Sequence, residues 1–107
     1  MARLLVVEDE PRLMDLLVRV LEKDGHDVLL AATGPDGVRM AAEHAVDVVL
    51  LDLMLPGFDG FEVLRRVLAH DPDQQVLVLS AVADVTSRVR CLDFRIAMLD
   101  QTGNFKV

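Results

Sequence analysis

Three acidic side chains follow two apolar runs at points where their carboxylates could meet. Glu8 and Asp9 directly follow the apolar run at residues 4–7, and Asp52 directly follows the run at residues 48–51. Both runs are apolar without alternation, which is typical of strands buried on both faces of a parallel sheet. Ligand sites in such sheets lie outside the carboxyl ends of the strands. The spacing therefore predicts a carboxylate cluster at one sheet edge, which suits a hard cation.

Composition indicates one acidic globular domain. The 107 residues are 52% hydrophobic, and 18 acidic residues against 11 lysines and arginines give a formal net charge of −7. That charge repels phosphate backbones, so we expect no direct nucleic acid binding. The single cysteine, Cys91, rules out an intrachain disulfide and fits a reducing compartment. The first apolar run is too short for a signal peptide or a membrane span, so we expect a cytoplasmic protein without membrane contact.

Helical patterns alternate with the apolar runs. The first predicted helix begins at Pro11 and ends at Asp24, the second follows the capping hydroxyl of Thr33, and the third follows Asp59 and ends before Pro72. Asp59 and the acid three residues later have capping-box spacing. The predicted strands are residues 4–7, 28–32, 46–51 and 76–79. Strands separated by helices of this length indicate right-handed crossovers and a parallel sheet.

Three segments carry distinctive motifs: LLVVEDEP at residues 4–11, VLLDLMLPGFDG at 49–60 and VLSA at 78–81. In order and spacing they resemble the motifs of the receiver domain of bacterial two-component response regulators. The resemblance covers residues 2–93 and rests on three linked motifs, which are more specific together than any one alone. It implies an α/β fold of the flavodoxin-like type, a doubly wound parallel sheet with strand order 2-1-3-4-5.

The resemblance also implies a role for each acidic residue. Asp52 matches the aspartate that receives a phosphoryl group from a phosphohistidine of a sensor histidine kinase. Asp9 matches the direct ligand of Mg²⁺, Glu8 matches its acidic neighbour that acts through water, and Met54 would contribute its backbone carbonyl. Ser80 matches a hydroxyl that hydrogen-bonds the phosphoryl group. A domain of this kind is not an enzyme toward other substrates, because it promotes only its own phosphorylation and dephosphorylation.

The C-terminal part departs from the family pattern. We divide the chain into a receiver-like domain at 1–93 and a divergent C-terminal segment of the same domain at 94–107. The lysine-proline pair of the family would fall near Thr102, whereas Lys106 comes later and is not followed by proline. Leu99 lies about where the family has an aromatic residue. We therefore expect the fifth strand and the fifth helix to be missing or altered, and we identify no equivalent of the lysine.

The divergent segment has its own period. Apolar residues recur at steps of three and four, which favours a fourth helix that runs on to about Leu99. These residues are Val82, Val85, Val89, Leu92, Ile96 and Leu99. A short fifth strand at 95–99 is the competing interpretation. A sheet without its fifth helix would lack cover on one face, so we expect a homodimer or a domain-swapped dimer through this apolar stripe.

Three functions remain open from the sequence. The first is a phosphoacceptor signalling domain that uses Mg²⁺ and receives its phosphoryl group on Asp52. The second is a degenerate receiver that serves as an interaction module independent of phosphorylation. A magnesium-dependent phosphohydrolase is the weakest of the three, because no general acid or base is evident beyond the acidic residues.

Overall fold

The computed structural model describes residues 2–52, 59–79, 97–99 and 105–106. Six strands in this part of the chain form one sheet in the order β2-β1-β3-β4-β5-β6. The strands are β1 (Arg3–Val7), β2 (Asp27–Ala31), β3 (Val48–Asp52), β4 (Gln75–Leu79), β5 (Ala97–Leu99) and β6 (Phe105–Lys106). The helices are α1 (Pro11–Lys23), α2 (Gly34–Glu43) and α3 (Gly60–His70). All neighbouring strands are parallel except β5 and β6, which confirms the predicted flavodoxin-like order.

The main core lies between the sheet and the pair α2 and α3. Successive side chains of a strand point to opposite faces of the sheet. The odd-numbered residues of β1 and β3 and the even-numbered residues of β4 lie on this face. The buried members are Leu5, Val7, Ala31, Val49, Leu51, Phe61, Val63, Leu64, Val67, Val76 and Val78. α2 approaches β1 closely, because a Cβ added to Gly37 would come within 2.8 Å of a methyl group of Val7.

The starts of α2 and α3 are capped where the sequence predicts. The Thr33 hydroxyl accepts a hydrogen bond from the Asp36 N–H at 3.3 Å, and an Asp59 carboxylate oxygen accepts one from the Phe61 N–H at 2.9 Å. The Glu62 carboxylate, the other member of the predicted capping box, forms ion pairs with the two arginines that follow on the helix, Arg65 and Arg66. The residue that caps α1 is Glu10, which the sequence pattern did not indicate.

α1 lies on the opposite face and is poorly covered. None of its thirteen residues is buried, and Leu16 and Val20 are 57% and 51% exposed. On this face of the sheet, the β1 residues Leu4 and Val6 are buried, whereas Leu30 on the edge strand β2 is 40% exposed. The described part of the chain therefore covers one face of the sheet thoroughly and the other only in its middle.

The end of the chain corrects one prediction. Ala97–Leu99 form strand β5, which pairs with β4 in the register Leu77 with Ala97 and Leu79 with Leu99. The favoured helix is therefore wrong at these residues, and the competing strand is confirmed there. The outer edge of β4 offers unpaired backbone groups, and pairing them outweighs a helical apolar period. β6 was not predicted. The rest of the proposed helix and dimer stripe, residues 82–96, lies outside the described residues.

Our first prediction concerns the end of α1, where Gly25 has φ +88°. The Gly25 N–H donates to the Glu22 carbonyl and the His26 N–H to the Leu21 carbonyl, which is a Schellman motif. No atom lies within 4 Å of an added Cβ, so a substitution tests the backbone alone. We expect Gly25→Ala to lower the free energy of unfolding by about 1 kcal/mol, as measured by urea titration. Gly25→Asn, the matched control, should cost less, and equal losses would contradict the explanation.

Candidate functional site

The pairing of β1 with β3 brings the acidic residues together. Val7 pairs with Leu51, so the next residues, Glu8 and Asp52, follow at the same edge of the sheet. One carboxylate oxygen from each of Glu8, Asp9 and Asp52 lies within 4.8 Å of the other two. Within the described ranges, this is the one group of three or more such side chains with a geometry that could hold a metal ion.

Glu8 is anchored more firmly than its neighbours. Its backbone N–H donates to the Ala31 carbonyl at 3.0 Å and so continues the β1–β2 ladder one residue past the strand. Its Oε1 accepts hydrogen bonds from the N–H groups of Asp9 and Glu10, both at 3.1 Å. Only 2% of Glu8 is exposed, and its Oε2 is buried without a hydrogen-bond partner among the described residues. A buried oxygen of this kind is costly unless a ligand satisfies it.

The three acidic residues differ in how deeply they are buried. Glu8 is buried, Asp52 is half-buried and Asp9 is exposed. Asp52 also pairs through its backbone with Leu79 at the end of β4. The cluster is therefore fixed by the sheet at Glu8 and Asp52, and its most exposed carboxylate is that of Asp9.

Burial raises the pKa of Glu8 from its ordinary value of 4.5 to about 7. The hydrogen bond from the Glu10 N–H opposes this rise, whereas the neighbouring Asp52 and Asp9 carboxylates add to it. A buried carboxylate loses the hydration that favours its charged form, hydrogen bonding to the neighbouring carboxylates favours its protonated form, and the charge of Asp52 repels a second anion. The metal-free cluster therefore holds a proton near neutral pH, which a bound cation would displace.

The donor set fits a hard divalent cation. It consists of carboxylate oxygens alone, and one of them is buried without a partner. Mg²⁺ takes oxygen ligands, keeps several waters and is usually held by one or two carboxylates together with phosphate oxygens. The residues present therefore suit Mg²⁺ better than a metal that prefers nitrogen or sulfur ligands.

Three of the five predicted site residues are brought together, namely Glu8, Asp9 and Asp52. Met54 and Ser80 lie outside the described residues, so their roles stay predictions. Lys106 pairs through its backbone with Met98 in the β5–β6 hairpin, and its side chain is not described. Sequence analysis used Pro11 to place the start of α1 but did not identify Glu10, the residue before it, as the N-cap.

Comparison with known proteins gives a consistent result. The family model for the response regulator receiver domain matches residues 4–99. The transcriptional regulatory protein TcrA of Mycobacterium tuberculosis is 45% identical over 91 residues, which are 85% of this chain. The matched segment is 36% of the length of TcrA, so this chain spans little more than a third of that relative.

Solved receiver structures have the same fold. The non-phosphorylated HemR receiver domain of Leptospira biflexa is 32% identical with a TM-score of 0.86, covering 92% of this chain and 79% of that one. The response regulator TrrA of Thermotoga maritima, solved in complex with Mg²⁺ and BeF, is 29% identical with a TM-score of 0.80, covering 86% of this chain and 80% of that one.

None of the helices in the described ranges combines the length and the hydrophobicity that a membrane span requires.

Our second prediction follows from the raised pKa of Glu8. The unfolded chain releases this proton near pH 4.5 and the folded chain near pH 7. Between these values the unfolded state binds fewer protons, so Glu8 makes the metal-free protein less stable as pH rises from about 4.5 to about 7, after which its contribution is constant. Urea titrations from pH 4 to 8 with a chelator should show this decline.

Glu8→Gln should remove that part of the decline, because glutamine carries no proton to release. Glu43→Gln is the matched control, since Glu43 is an exposed carboxylate on α2 away from the cluster. Its stability should follow the pH dependence of the parent. Parallel curves for Glu8→Gln and the parent would show that the pKa of Glu8 is ordinary in the folded protein.

Proposed function

Because this chain belongs to the family of response regulator receiver domains, we propose that it receives a phosphoryl group on Asp52 from a phosphohistidine of a sensor histidine kinase, with Mg²⁺ held beside it. The observation that carries the proposal is the group of three carboxylates within 4.8 Å at the end of β1 and β3. Asp52 is the half-buried member, so its carboxylate is fixed by a strand and still accessible.

The proposed reaction is a displacement at phosphorus. An oxygen of Asp52 attacks the phosphorus atom, the P–N bond to the kinase imidazole breaks, and the imidazole leaves with the electron pair of that bond. The product is an aspartyl phosphate. Attack is in line with the leaving group, so the reaction depends on positioning and on electrostatic stabilisation of the transferred group.

Electrostatics explains why a cation is needed. Two like charges about 5 Å apart repel by about 3 kcal/mol at an effective dielectric constant of about 20. The carboxylate oxygens of the cluster lie within 4.8 Å of one another, so their negative charge would oppose an incoming phosphoryl group, which is itself negative. Mg²⁺ would neutralise this charge and polarise the phosphoryl oxygens.

The residues that would hold Mg²⁺ are Asp9 and Asp52, with Glu8 beside them. The unpartnered Oε2 of Glu8 supports this arrangement, because a cation or its water would satisfy it. The similar protein TrrA was solved with Mg²⁺ and BeF, which also supports the choice of metal. By the family motif, the Met54 carbonyl and the Ser80 hydroxyl would complete the shell around the metal and the phosphoryl group.

The output of the protein, its nucleic acid binding and its location in the cell are further proposals. TcrA is named as a transcriptional regulatory protein, but this chain matches little more than a third of it. Because the net charge is −7, we keep the prediction that these residues do not themselves bind nucleic acid. We also keep the predicted cytoplasmic location. The interaction module that works without phosphorylation is the alternative function, and no described residue favours it over phosphorylation.

Our third prediction tests phosphorylation directly. Incubation with acetyl phosphate and Mg²⁺ should add one phosphoryl group, which intact-mass spectrometry would detect. The adduct should not form when a chelator removes Mg²⁺. Asp52→Asn should abolish the adduct, because the amide is not a competent nucleophile. Asp73→Asn, an exposed acid in the turn after α3, is the matched control and should label like the parent. A parent that stays unlabelled under conditions that label another receiver would favour the interaction module.

Our fourth prediction concerns Mg²⁺ itself. Asp9→Asn should weaken Mg²⁺ binding about tenfold or more in titration calorimetry, since it removes one anionic oxygen from a site with few protein ligands. In the parent, affinity should rise with pH up to about 7, the pKa of Glu8, because binding displaces the shared proton. Asp73→Asn again serves as the control. Equal affinity in the Asp9→Asn variant and the parent would exclude Asp9 from the metal shell.

A further inference from the structure

Glu10 occupies the junction between the acidic pair and α1. It is the N-cap of the helix, with extended backbone angles φ −85° and ψ 116°. Its Oε2 accepts a hydrogen bond from the Leu13 N–H at 2.8 Å, and its carbonyl accepts one from the Met14 N–H at 3.0 Å. Two of the bonds that start α1 therefore depend on this residue.

The backbone of the same residue also contacts the site. The Glu10 N–H donates to Glu8 Oε1 at 3.1 Å, beside the bond from the Asp9 N–H. Pro11 follows and has no N–H, so the next peptide cannot replace this donor. The capping bond at one end of Glu10 and the Glu8 bond at the other thus fix a single short turn.

This turn fixes the orientation of the Glu8 carboxylate. Oε1 is held by two backbone donors, and the buried Oε2 is left without a partner in the described structure. Rotating the carboxylate would break both bonds to Oε1. The direction in which the unpartnered oxygen points therefore depends on the position of the Glu10 peptide.

We propose that Glu10 is a positioning residue for the metal site: by capping α1 it holds its own N–H on Glu8 Oε1 and so directs Oε2 toward the cation. Its side chain is turned to the helix and is not a metal ligand in this proposal. The inference rests on the proposed function only for its Mg²⁺ measurement, because the effect on the turn exists in the metal-free protein.

The competing explanation is charge, since Glu10 adds a third anion in the sequence beside Glu8 and Asp9. Glu10→Ala removes both the cap and the charge. Glu10→Asn removes the charge and keeps a side chain that caps helices well. Glu22→Ala is the matched control, because it removes an exposed carboxylate from the last turns of α1, away from the site.

The first measurement is amide hydrogen exchange by NMR in the metal-free protein. Loss of an N-cap of typical strength should speed exchange of the Leu13 amide about fivefold in Glu10→Ala. The amides of Asp9 and of position 10 should also exchange faster in this variant. Glu10→Asn and Glu22→Ala should stay close to the parent at all three amides. Unchanged exchange at Asp9 and residue 10 in Glu10→Ala would overturn the proposal, whether or not the protein binds Mg²⁺.

The second measurement is Mg²⁺ titration of the same four proteins. Loss of a group that orients a ligand typically costs 10-fold to 100-fold in metal affinity, so we expect about a tenfold loss in Glu10→Ala and near-parent affinity in Glu10→Asn. Equal losses in both variants would assign the effect to charge and overturn the proposal. A parent that binds no Mg²⁺ would instead contradict the proposed function, and the exchange measurement would then decide the role of Glu10.

Discussion

The register between β1 and β3 is the constraint on which the rest of the site depends. Val7 lies beside Leu51, and the next residue is an acid in both segments, Glu8 after β1 and Asp52 at the end of β3. Carboxylates 44 residues apart in the chain therefore meet at one edge. A shift of one residue would reverse the faces of every side chain in the strand. Polarity alone does not prevent such a shift, because both faces of β1 are apolar and buried. Shape does, since α2 packs so closely on this strand that a Cβ on Gly37 would lie 2.8 Å from a methyl group of Val7.

The strands and the shared edge of the acidic residues were predictable because they follow from local patterns. Uninterrupted apolar runs mark buried parallel strands, and the carboxyl ends of parallel strands lie at a common edge, so Asp52 and Glu8 were expected at the same edge. The strand order, which makes β1 and β3 neighbours, came from the resemblance to receiver domains. Strand ends were less predictable. Asp27 and Gln75 are polar, yet they extend β2 and β4, because a neighbouring strand supplies hydrogen-bond partners that no local pattern records.

The errors of sequence analysis have a common origin. The apolar spacing that ends at Leu99 is compatible with a helix, but the open edge of β4 selects a strand at Ala97–Leu99. Glu10 was overlooked as a helix cap because glutamate is not among the preferred N-cap residues. Its longer side chain reaches the Leu13 N–H only in the particular turn that follows β1. In both cases the tertiary surroundings, rather than residue preference, determine the outcome.

The sparse burial of α1 has a consequence for how the molecule opens. A helix without a single buried residue is held mainly by its caps and by partial contacts, so it belongs to the least protected elements of the described structure. It begins directly after the three acidic residues of the β1–α1 turn, whereas Asp52 belongs to a strand of the main core. We therefore expect local opening of α1 to disturb the Glu10 end of the site before it disturbs Asp52, and a ligand that contacts both ends would oppose that opening.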